Sequence, residues 1–462
     1  MDVNCVQALE TIVGLDGICV WEQVDSSFRV AVTAAIAPDT SIAGIVSPAT
    51  SEELAAVVTC AHQHNWRVLP CGNHSKLSWG GILSCLSPTP HSPLPTPPPS
   101  SLLLIRTNRL NRLIEHAVGD LTVTVEAGMK FADLQAILAQ AGQFLALDPT
   151  YPEQATIGGI VATGDTGSLR QRYNGVRDML LGLSFVRADG QIAKAGGRVV
   201  KNVAGYDLMK LFTGSYGTLG LITQVTFRVY PLPEMSETIL LRGDGEAIAR
   251  VAQTLLSSAL TPTSLDFLSS PLLHNLGLGG GTGLAIRFQG ITPSVKEQVA
   301  RSREVGQALG LTDISFPGIE DADLWLRLRE QMTVSHHEGM ITCKIGIQSS
   351  QAIALFQFLQ SLALPNWSGQ IHAASGLGRL TFFSESDPEK KSGAIAPTTL
   401  MQLRDFCQTH RGFLTVLQAP PALKQTMDVW GYPGNALEVM QKIKHQFDPK
   451  HLLSPHRFVG NI

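Results

Sequence analysis

The sequence predicts an α+β protein of more than one domain. Three observations carry that reading. Residues 42–70 run strand, helix, strand. Residues 236–420 alternate strand-like and helical runs, the pattern of a sheet layered with helices. The chain has 462 residues, 44% of them hydrophobic and 16% charged, which is too long for one ordinary core and too apolar for a disordered chain.

In the first of these stretches, "IAGIV" is strand-like and "RVLP" is the returning strand. Between them, Thr50 and Glu53 have the spacing of a capping box, and Leu54, Val57, Val58 and Ala61 recur at helical spacing. The next segment, "PCGNHSKLSWGG" (70–81), is a polar turn directly after a strand, a place where backbone N–H groups meet anions. Residues 87–101 form a Pro/Ser-rich loop, because proline removes donors and blocks regular pairing. "SLLLI" and "LTVTVEAG" are strands, and "KFADLQAILAQAG" is a helix ending at Gly142. "DPTYPEQATIGGIVATGDTGS" reads as turn-rich, and "GLSFVRADGQIAKAG" as a hairpin with a type I′ turn at Asp189-Gly190. "GYDLMKLFTGSYGTLGLITQVTFRVYP" runs helix, Gly-rich turn, strand, and Pro231 and Pro233 mark a linker. The resulting division is 1–235, 236–420 and a tail at 421–462 that carries an amphipathic helix with Met440, Ile443 and Phe447 on one face.

Composition narrows the function. A net charge of −3 gives no basic field for nucleic acid or anionic membrane. No apolar run is long enough to span a bilayer, and "MDVNCVQALE" does not read as a secretory signal. The seven cysteines are scattered and form no CxxC pair, which suits a reducing cytoplasm and argues against an iron–sulfur cluster held by this chain alone. No zinc spacing, P-loop, early G-x-G-x-x-G or G-x-S-x-G is present, so no metal site is assigned. The run "GLGGGTG" (277–283) precedes a strand and reads as a loop. Two separated small-residue segments remain, 72–78 and 156–168, with 214–220 behind the second. A long dinucleotide needs such a surface: glycine turns supply convergent N–H donors for a pyrophosphate and a close backbone wall for a flat ring.

Taken together, "PCGNHSK", "LTVTVEAGMKFADLQAIL", "ATIGGIVAT", "YNGVRDMLLGLSFVRADGQI", "KNVAGYDLMKLFTGSYGTLGLITQVTFRVYP" and "FDPKHLLSPHRF" resemble the FAD-binding PCMH-type flavoproteins of the vanillyl-alcohol oxidase superfamily. Within that superfamily, "GNHSK", "VVKNVAGYDL" and "VWGYPGNALEVMQKIKHQFDPKHLLSP" resemble the FAD-binding subunits of glycolate dehydrogenases, also called glycolate oxidases. The resemblance implies a two-subdomain PCMH-type FAD-binding domain, an α+β cap over 236–420, and a C-terminal segment that returns to the FAD domain. It implies that Pro70, Gly72, Asn73, His74, Ser75 and Lys76 wrap the pyrophosphate. Thr156, Ile157, Gly158, Gly159, Thr163, Gly164 and Ser168 would wall the phosphates and ring, with Gly217 and Ile222 near the adenine. Asn202 and Tyr206 would sit on the cap side. Asn73 stands where many relatives have glycine, and Lys344 where they have arginine.

The implied activity is a cytoplasmic FAD-dependent 2-hydroxy-acid dehydrogenase, with a second flavoprotein subunit, an iron–sulfur subunit, and membrane association only through them. A non-catalytic flavin relay subunit and a stand-alone oxidase using oxygen are the alternatives. Candidates for the proton-accepting and carboxylate-holding groups are His336, His337, His372, Arg329 and Lys344, with Arg327 and Arg379 nearby. Each also has an ordinary reading as a loop histidine, a helix-surface arginine or a hairpin residue. His74 has two readings as well, a covalent flavin anchor or a loop histidine, and the second is preferred. Lys201 and Asp207 are explained by an ion pair or a helix cap, and Cys60 and Cys71 by buried packing.

Overall fold

The computed structural model describes residues 3–38, 40–84, 101–198, 205–333, 339–364, 366–383 and 395–462. They form two compact units. Unit one comprises Met1–Thr166, Gly175–Pro231 and Gly434–Ile462, and unit two comprises Gly167–Asn174 and Leu232–Pro433.

Unit one contains two main sheets. In the first, Ile42–Val46 and Arg67–Cys71 both pair parallel to Leu102–Arg106, and the short strand Ile18–Cys19 closes the other edge antiparallel to Ile42–Val46. The helix between the two parallel strands, Ser51–His64, starts as its sequence dictates. Thr50 Oγ1 accepts from the Glu53 N–H at 3.0 Å, and Glu53 Oε2 accepts from the Ala49 N–H at 2.7 Å. Leu54, Val57, Val58 and Ala61 pack against Val68, Leu103 and Ile105 on one face of the sheet. Phe28 and Val32 of the helix Ser26–Thr33 pack with Leu69, Leu102 and Leu104 on the other. Both faces are covered, and the strands are near-continuously apolar, as parallel pairing requires. The tail adds to the free edge: Val68 N–H donates to Leu452 O, and Ser454 N–H donates to Val68 O, each at 2.8 Å.

The second sheet of unit one is antiparallel throughout. Its order is Leu113–Ala117, Thr122–Glu126, Leu221–Arg228, Leu180–Val186, Ile192–Gly196. The hairpin at its end is wider than a type I′ turn. Val186 pairs with Ile192, and only Gly190 has positive φ (+87°), whereas type I′ needs positive φ at Asp189 as well. The strand Leu113–Ala117 falls in a stretch read from sequence only as a connection, because its side chains are exposed or half-buried and show no apolar alternation.

Unit two is built on one eight-stranded antiparallel sheet: Thr312–Pro317, Met235–Gly243, Thr282–Gly290, Ser264–Leu268, Trp367–His372, Leu377–Phe382, Ile341–Gly346, Phe413–Gln418. One face is a continuous apolar core under the helices Gly245–Leu256, Thr292–Ala308, Ala352–Ser361 and Pro397–Thr409. The first of these shows the logic. Asp244 accepts from the Glu246 and Ala247 N–H groups at its start. Ile248, Val251 and Leu255 then bury one stripe, each contributing about 1.5–3 kcal/mol. On the opposite face, Leu240, Leu268 and Ala285 meet Leu324, Trp325, Leu328 and Met332 of the helix Ile319–Thr333. Asp321 fastens that helix, accepting from Arg287, Ser236 and Thr238. Asp266, His372, Gln370, Arg379 and Lys344 lie on the same face by their strand registers.

Among the described residues no helix is long and apolar enough to cross a membrane, and no cluster of three or more His, Cys, Asp or Glu side chains could hold a metal ion.

Candidate functional site

Unit one holds a cleft lined by small residues and backbone. Three chain segments line it: the turn after the strand Arg67–Cys71, the short helix Ile157–Thr163, and the turn before the strand Leu221–Arg228.

The first turn is held by Leu77 N–H to His74 O (3.1 Å) and Trp79 N–H to Lys76 O (3.0 Å). His74 has φ +49°, a left-handed conformation that bends the chain sharply. Gly72 touches the second segment so closely that a Cβ there would lie 2.1 Å from Thr156 Oγ1. Thr156 is the N-cap of the short helix, and its Oγ1 accepts from the Gly159 N–H at 3.3 Å. The third segment is laid along that helix by Gly214 N–H to Val161 O (2.9 Å) and Tyr216 N–H to Ala162 O (2.8 Å). Gly217, at φ +74°, then passes beside Pro70, where a side chain would meet the proline ring at 2.8 Å.

Charged side chains also line the cleft. Lys76 Nζ sits 2.8 Å from Asp165 Oδ2, and both side chains are buried. Asp165 also accepts from the Thr150 N–H at 2.7 Å, so the pair ties the first turn to the chain leaving the short helix. Burial pulls Arg457 down to about 10, so its guanidinium stays charged at neutral pH. That side chain lines the cleft and donates to Ala35 O, Leu77 O and Trp79 O from beneath the first turn. Cys71 is buried packing, as expected: burial pushes its thiol up to about 12. Cys60 is buried too.

His74 lines the cleft, and its ring is fixed from behind. Ser27 Oγ donates to Asp25 Oδ1 at 2.6 Å. A hydroxyl has one proton, so at 3.1 Å from His74 Nε2 the same oxygen accepts, and Nε2 carries the hydrogen. The hydrogen bond from Ser27 holds the Asp25 carboxyl below its usual value. Phe28 packs edge-on against the ring at 5.5 Å. Through these contacts His74 ties the turn to the helix Ser26–Thr33.

The remaining predicted residues separate into groups. Pro70, Asn73, Ser75, Gly158, Gly159, Thr163 and Ile222 line the same cleft. Ile157 is buried behind the cleft, and Gly164 ends the short helix at φ +59°. Ser168 lies in unit two, where its Oγ donates to Asp266. Also in unit two, His372 Nδ1 lies 2.7 Å from Asp266 Oδ1. Lys344 pairs across strands with Arg379, and Arg379 with Gln370, so the three side chains share the polar face with His372. Arg329 is half-buried on the helix Ile319–Thr333, and Arg327 pairs there with Asp323. Asp207 pairs with Lys210 at 2.6 Å, and Tyr206 is 88% exposed. His336, His337, Lys201, Asn202 and residues 87–100 of the Pro-rich loop lie outside the described residues. Asp165, Arg457, Asp25 and Asp266 were not picked out from sequence. Two of them lie in quoted stretches: Arg457 in the tail motif "FDPKHLLSPHRF" and Asp165 in the small-residue segment 156–168.

The tail also makes the site sensitive to acid. Burial holds His451 and His456 below the usual imidazole value, and the Lys444 charge adds to the effect at both. Their folded values lie below the unfolded ones, so as pH falls below about 6.5 the unfolded chain binds more protons and stability is lost. The thermal midpoint of unit one is expected to fall between about pH 7.5 and pH 5.5, and the double variant His451→Asn, His456→Asn to flatten that slope. An unchanged slope in the double variant would assign the acid sensitivity elsewhere.

The cleft fits FAD on its own geometry. Close-packed glycine turns give backbone access, and a buried arginine supplies positive charge beneath the first turn. The buried Ser454 Oγ has no hydrogen-bond partner among the described residues, and it lies 3.2 Å from the position a Cβ on Gly217 would take. Residues 42–196 match the FAD binding domain family. The chain is 30% identical to glycolate oxidase subunit GlcD of Bacillus subtilis over 230 residues, 50% of this chain and 46% of that protein. It is 36% identical to glycolate oxidase subunit GlcE of Escherichia coli over 179 residues, 38% of this chain and 50% of that protein. The chain thus spans about half the length of these curated relatives. Among solved structures, p-cresol methylhydroxylase with substrate bound matches 98% of this chain and 96% of its own, with TM-score 0.71 at 15% identity, a likeness of fold. Residues 42–196 thus match an FAD binding domain, the fold is like that of p-cresol methylhydroxylase, and FAD is the cofactor these matches support.

Proposed function

We propose that the protein is an FAD-dependent oxidoreductase that oxidises a small 2-hydroxy acid such as glycolate, as the FAD-binding subunit of a dehydrogenase complex. The observation that carries this reading is the cleft of unit one, where Gly72, Thr156 and Gly217 bring three chain segments into close contact around one cleft. The similarity to two glycolate oxidase subunits supports the substrate class. Bound FAD supplies a two-electron acceptor. The chain's own residues do the rest. Pro70 to Lys76 and Thr156 to Thr163 bind the cofactor, Arg457 and the Lys76–Asp165 pair hold the binding turn in place, and His74 orients it from behind. A second flavoprotein subunit and an iron–sulfur subunit complete the complex and take the electrons onward. A cytoplasmic location, with membrane association through those partners, belongs to the same reading.

The test is anaerobic bleaching of the flavin in the purified holoprotein by glycolate, D-lactate and longer 2-hydroxy acids, with and without the partner subunits. Bleaching by one of these acids, with little peroxide formed in air, is the expected result. Peroxide formed as fast as the acid is consumed would make the protein an oxidase. A chain that stays yellow while its complex bleaches would make it a relay subunit.

A further inference from the structure

Two lysine or arginine side chains, Lys76 and Arg457, line the cleft of unit one, and among the described residues no aspartate or glutamate lines it. They stand in different company. Lys76 Nζ lies 2.8 Å from Asp165 Oδ2, and the two side chains are 5% and 1% exposed. Asp165 is fastened in turn. Its Oδ2 also accepts from the Thr150 N–H at 2.7 Å, and its Oδ1 from the Thr150 hydroxyl at 3.2 Å. Thr150 is itself buried, as is Trp79, whose ring centre lies 5.7 Å from the lysine ammonium. Lys76 belongs to the turn after the strand Arg67–Cys71, and Asp165 follows the end of the short helix Ile157–Thr163. The pair therefore joins two of the segments that form the cleft. Arg457, by contrast, donates to the carbonyls of Ala35, Leu77 and Trp79, which are neutral acceptors.

The difference matters for an anion. A buried ammonium alone would draw a diphosphate by its charge, and the attraction would be strong in a site shielded from water. With a carboxylate at 2.8 Å the charge is cancelled, and a ligand meets only the weaker field of a dipole. Stability alone does not call for such a pair, because apolar residues of similar volume fill the same space without desolvating two charges. The pair does give the turn a fixed shape. Lysine carries a compact charge on a flexible stem, and a carboxylate held by two bonds from Thr150 offers that charge one place to rest.

We propose that Asp165 is the internal counter-ion of the cofactor cleft. It balances Lys76, so that the lysine ammonium is a positioning group for the binding turn, and attraction for the diphosphate of the cofactor falls to Arg457 and the backbone N–H groups of the glycine turns. The turn is charge-balanced and shaped before any cofactor arrives, and the cost of ordering it is not taken from the binding energy. The proposal rests on FAD as the cofactor of this cleft.

The test is isothermal titration calorimetry on the full-length apoprotein, once with FAD and once with inorganic diphosphate. Lys76→Met uncovers a carboxylate and is expected to weaken both ligands by at least about tenfold. Asp165→Asn uncovers the ammonium and is expected to tighten inorganic diphosphate by at least about threefold, with a steeper loss of affinity as salt is raised. The double variant Lys76→Met, Asp165→Asn restores the balance and is expected to bind both ligands within about threefold of the parent. A double variant as weak as Lys76→Met would overturn the proposal, because the lysine would then grip the diphosphate itself or act as a clamp without a charge role. Should Lys76→Met fail to fold, Asp165→Asn decides: diphosphate binding no tighter and no more salt-sensitive than the parent's would equally overturn it. A parent apoprotein that takes up no FAD would overturn the cofactor reading instead. The counter-ion is then judged on diphosphate alone, where tighter binding by Asp165→Asn than by Lys76→Met supports it and equal affinities sink it.

Discussion

Lys444→Met will destabilise unit one by about 3–5 kcal/mol, the cost of breaking a buried ion pair from one side. Lys444 lies on the helix Leu437–Phe447, and its side chain is 1% exposed. Its ammonium donates to Asp448 Oδ2 at 2.6 Å and to the carbonyls of Thr218 and Leu453 at 2.8 Å each. Burial draws its pKa below the usual lysine value, and Asp448 opposes that shift. Asp448 in turn accepts from the N–H groups of Leu452 and Leu453, at 3.0 and 2.7 Å. Methionine fills the volume but leaves a buried carboxylate and two carbonyls without their donor. The tail that carries Arg457 then loses its hold, and FAD affinity falls with it. The double variant Lys444→Met, Asp448→Leu removes both charges and is expected to recover part of the loss. Urea unfolding followed by flavin fluorescence reads both quantities. A single variant within about 1 kcal/mol of the parent would show that the pair contributes no more than an exposed one.

The second large effect is expected at Gly72. In Gly72→Ala the new Cβ lies 2.1 Å from Thr156 Oγ1, 2.9 Å from Thr156 Cγ2 and 3.0 Å from Thr156 Cβ. Rotation cannot clear all three atoms, because Thr156 is short, branched and 3% exposed. Either Thr156 gives up the helix cap, at about 1 kcal/mol, or the first turn moves off the wall. Both outcomes open the cleft, and FAD affinity is expected to fall by about tenfold or more, equivalent to about 1.4 kcal/mol. Gly119→Ala is the control, since nothing lies within 4 Å of its added Cβ. Titration of the apoprotein with FAD, followed by fluorescence quenching, checks the pair. Equal affinities would mean that the contact between Gly72 and Thr156 does not shape the cofactor site.

The parts legible in sequence are those where local chemistry and tertiary packing agree. Thr50 and Glu53 have capping-box spacing in sequence, and in the structure Thr50 caps the Glu53 N–H while Glu53 reaches back to the Ala49 N–H, one residue before the cap. The helices of unit two follow from apolar residues at helical spacing, because each buries one stripe on a sheet. The helix Ile157–Thr163 escaped notice because Gly158 and Gly159 have low helix propensity; it is held by the Thr156 cap and by Gly158 N–H to Ala127 O at 2.7 Å. The strand Ser264–Leu268 was missed because Asp266 breaks its apolar pattern, and only the folded sheet supplies the partners that let a carboxylate be buried there. Lys444 was missed for the same reason. An amphipathic count assigns a lysine to solvent, and the tertiary fold assigns this one to a carboxylate and two carbonyls. Ser168 was read as part of the cofactor wall from its place in the sequence, and the chain passes into unit two one residue before it.

The tail of unit one has a bearing on biosynthesis. Leu452 and Ser454 extend the first sheet, and Arg457 supports the cofactor turn from beneath. During translation, unit two, drawn mostly from the continuous stretch Leu232–Pro433, emerges before those residues do. Unit one, though its first strands are made early, waits for the tail before its cleft is complete. Flavin loading is therefore a late step of maturation, after the ribosome has released Arg457, and nascent chains stalled short of that residue will be colourless.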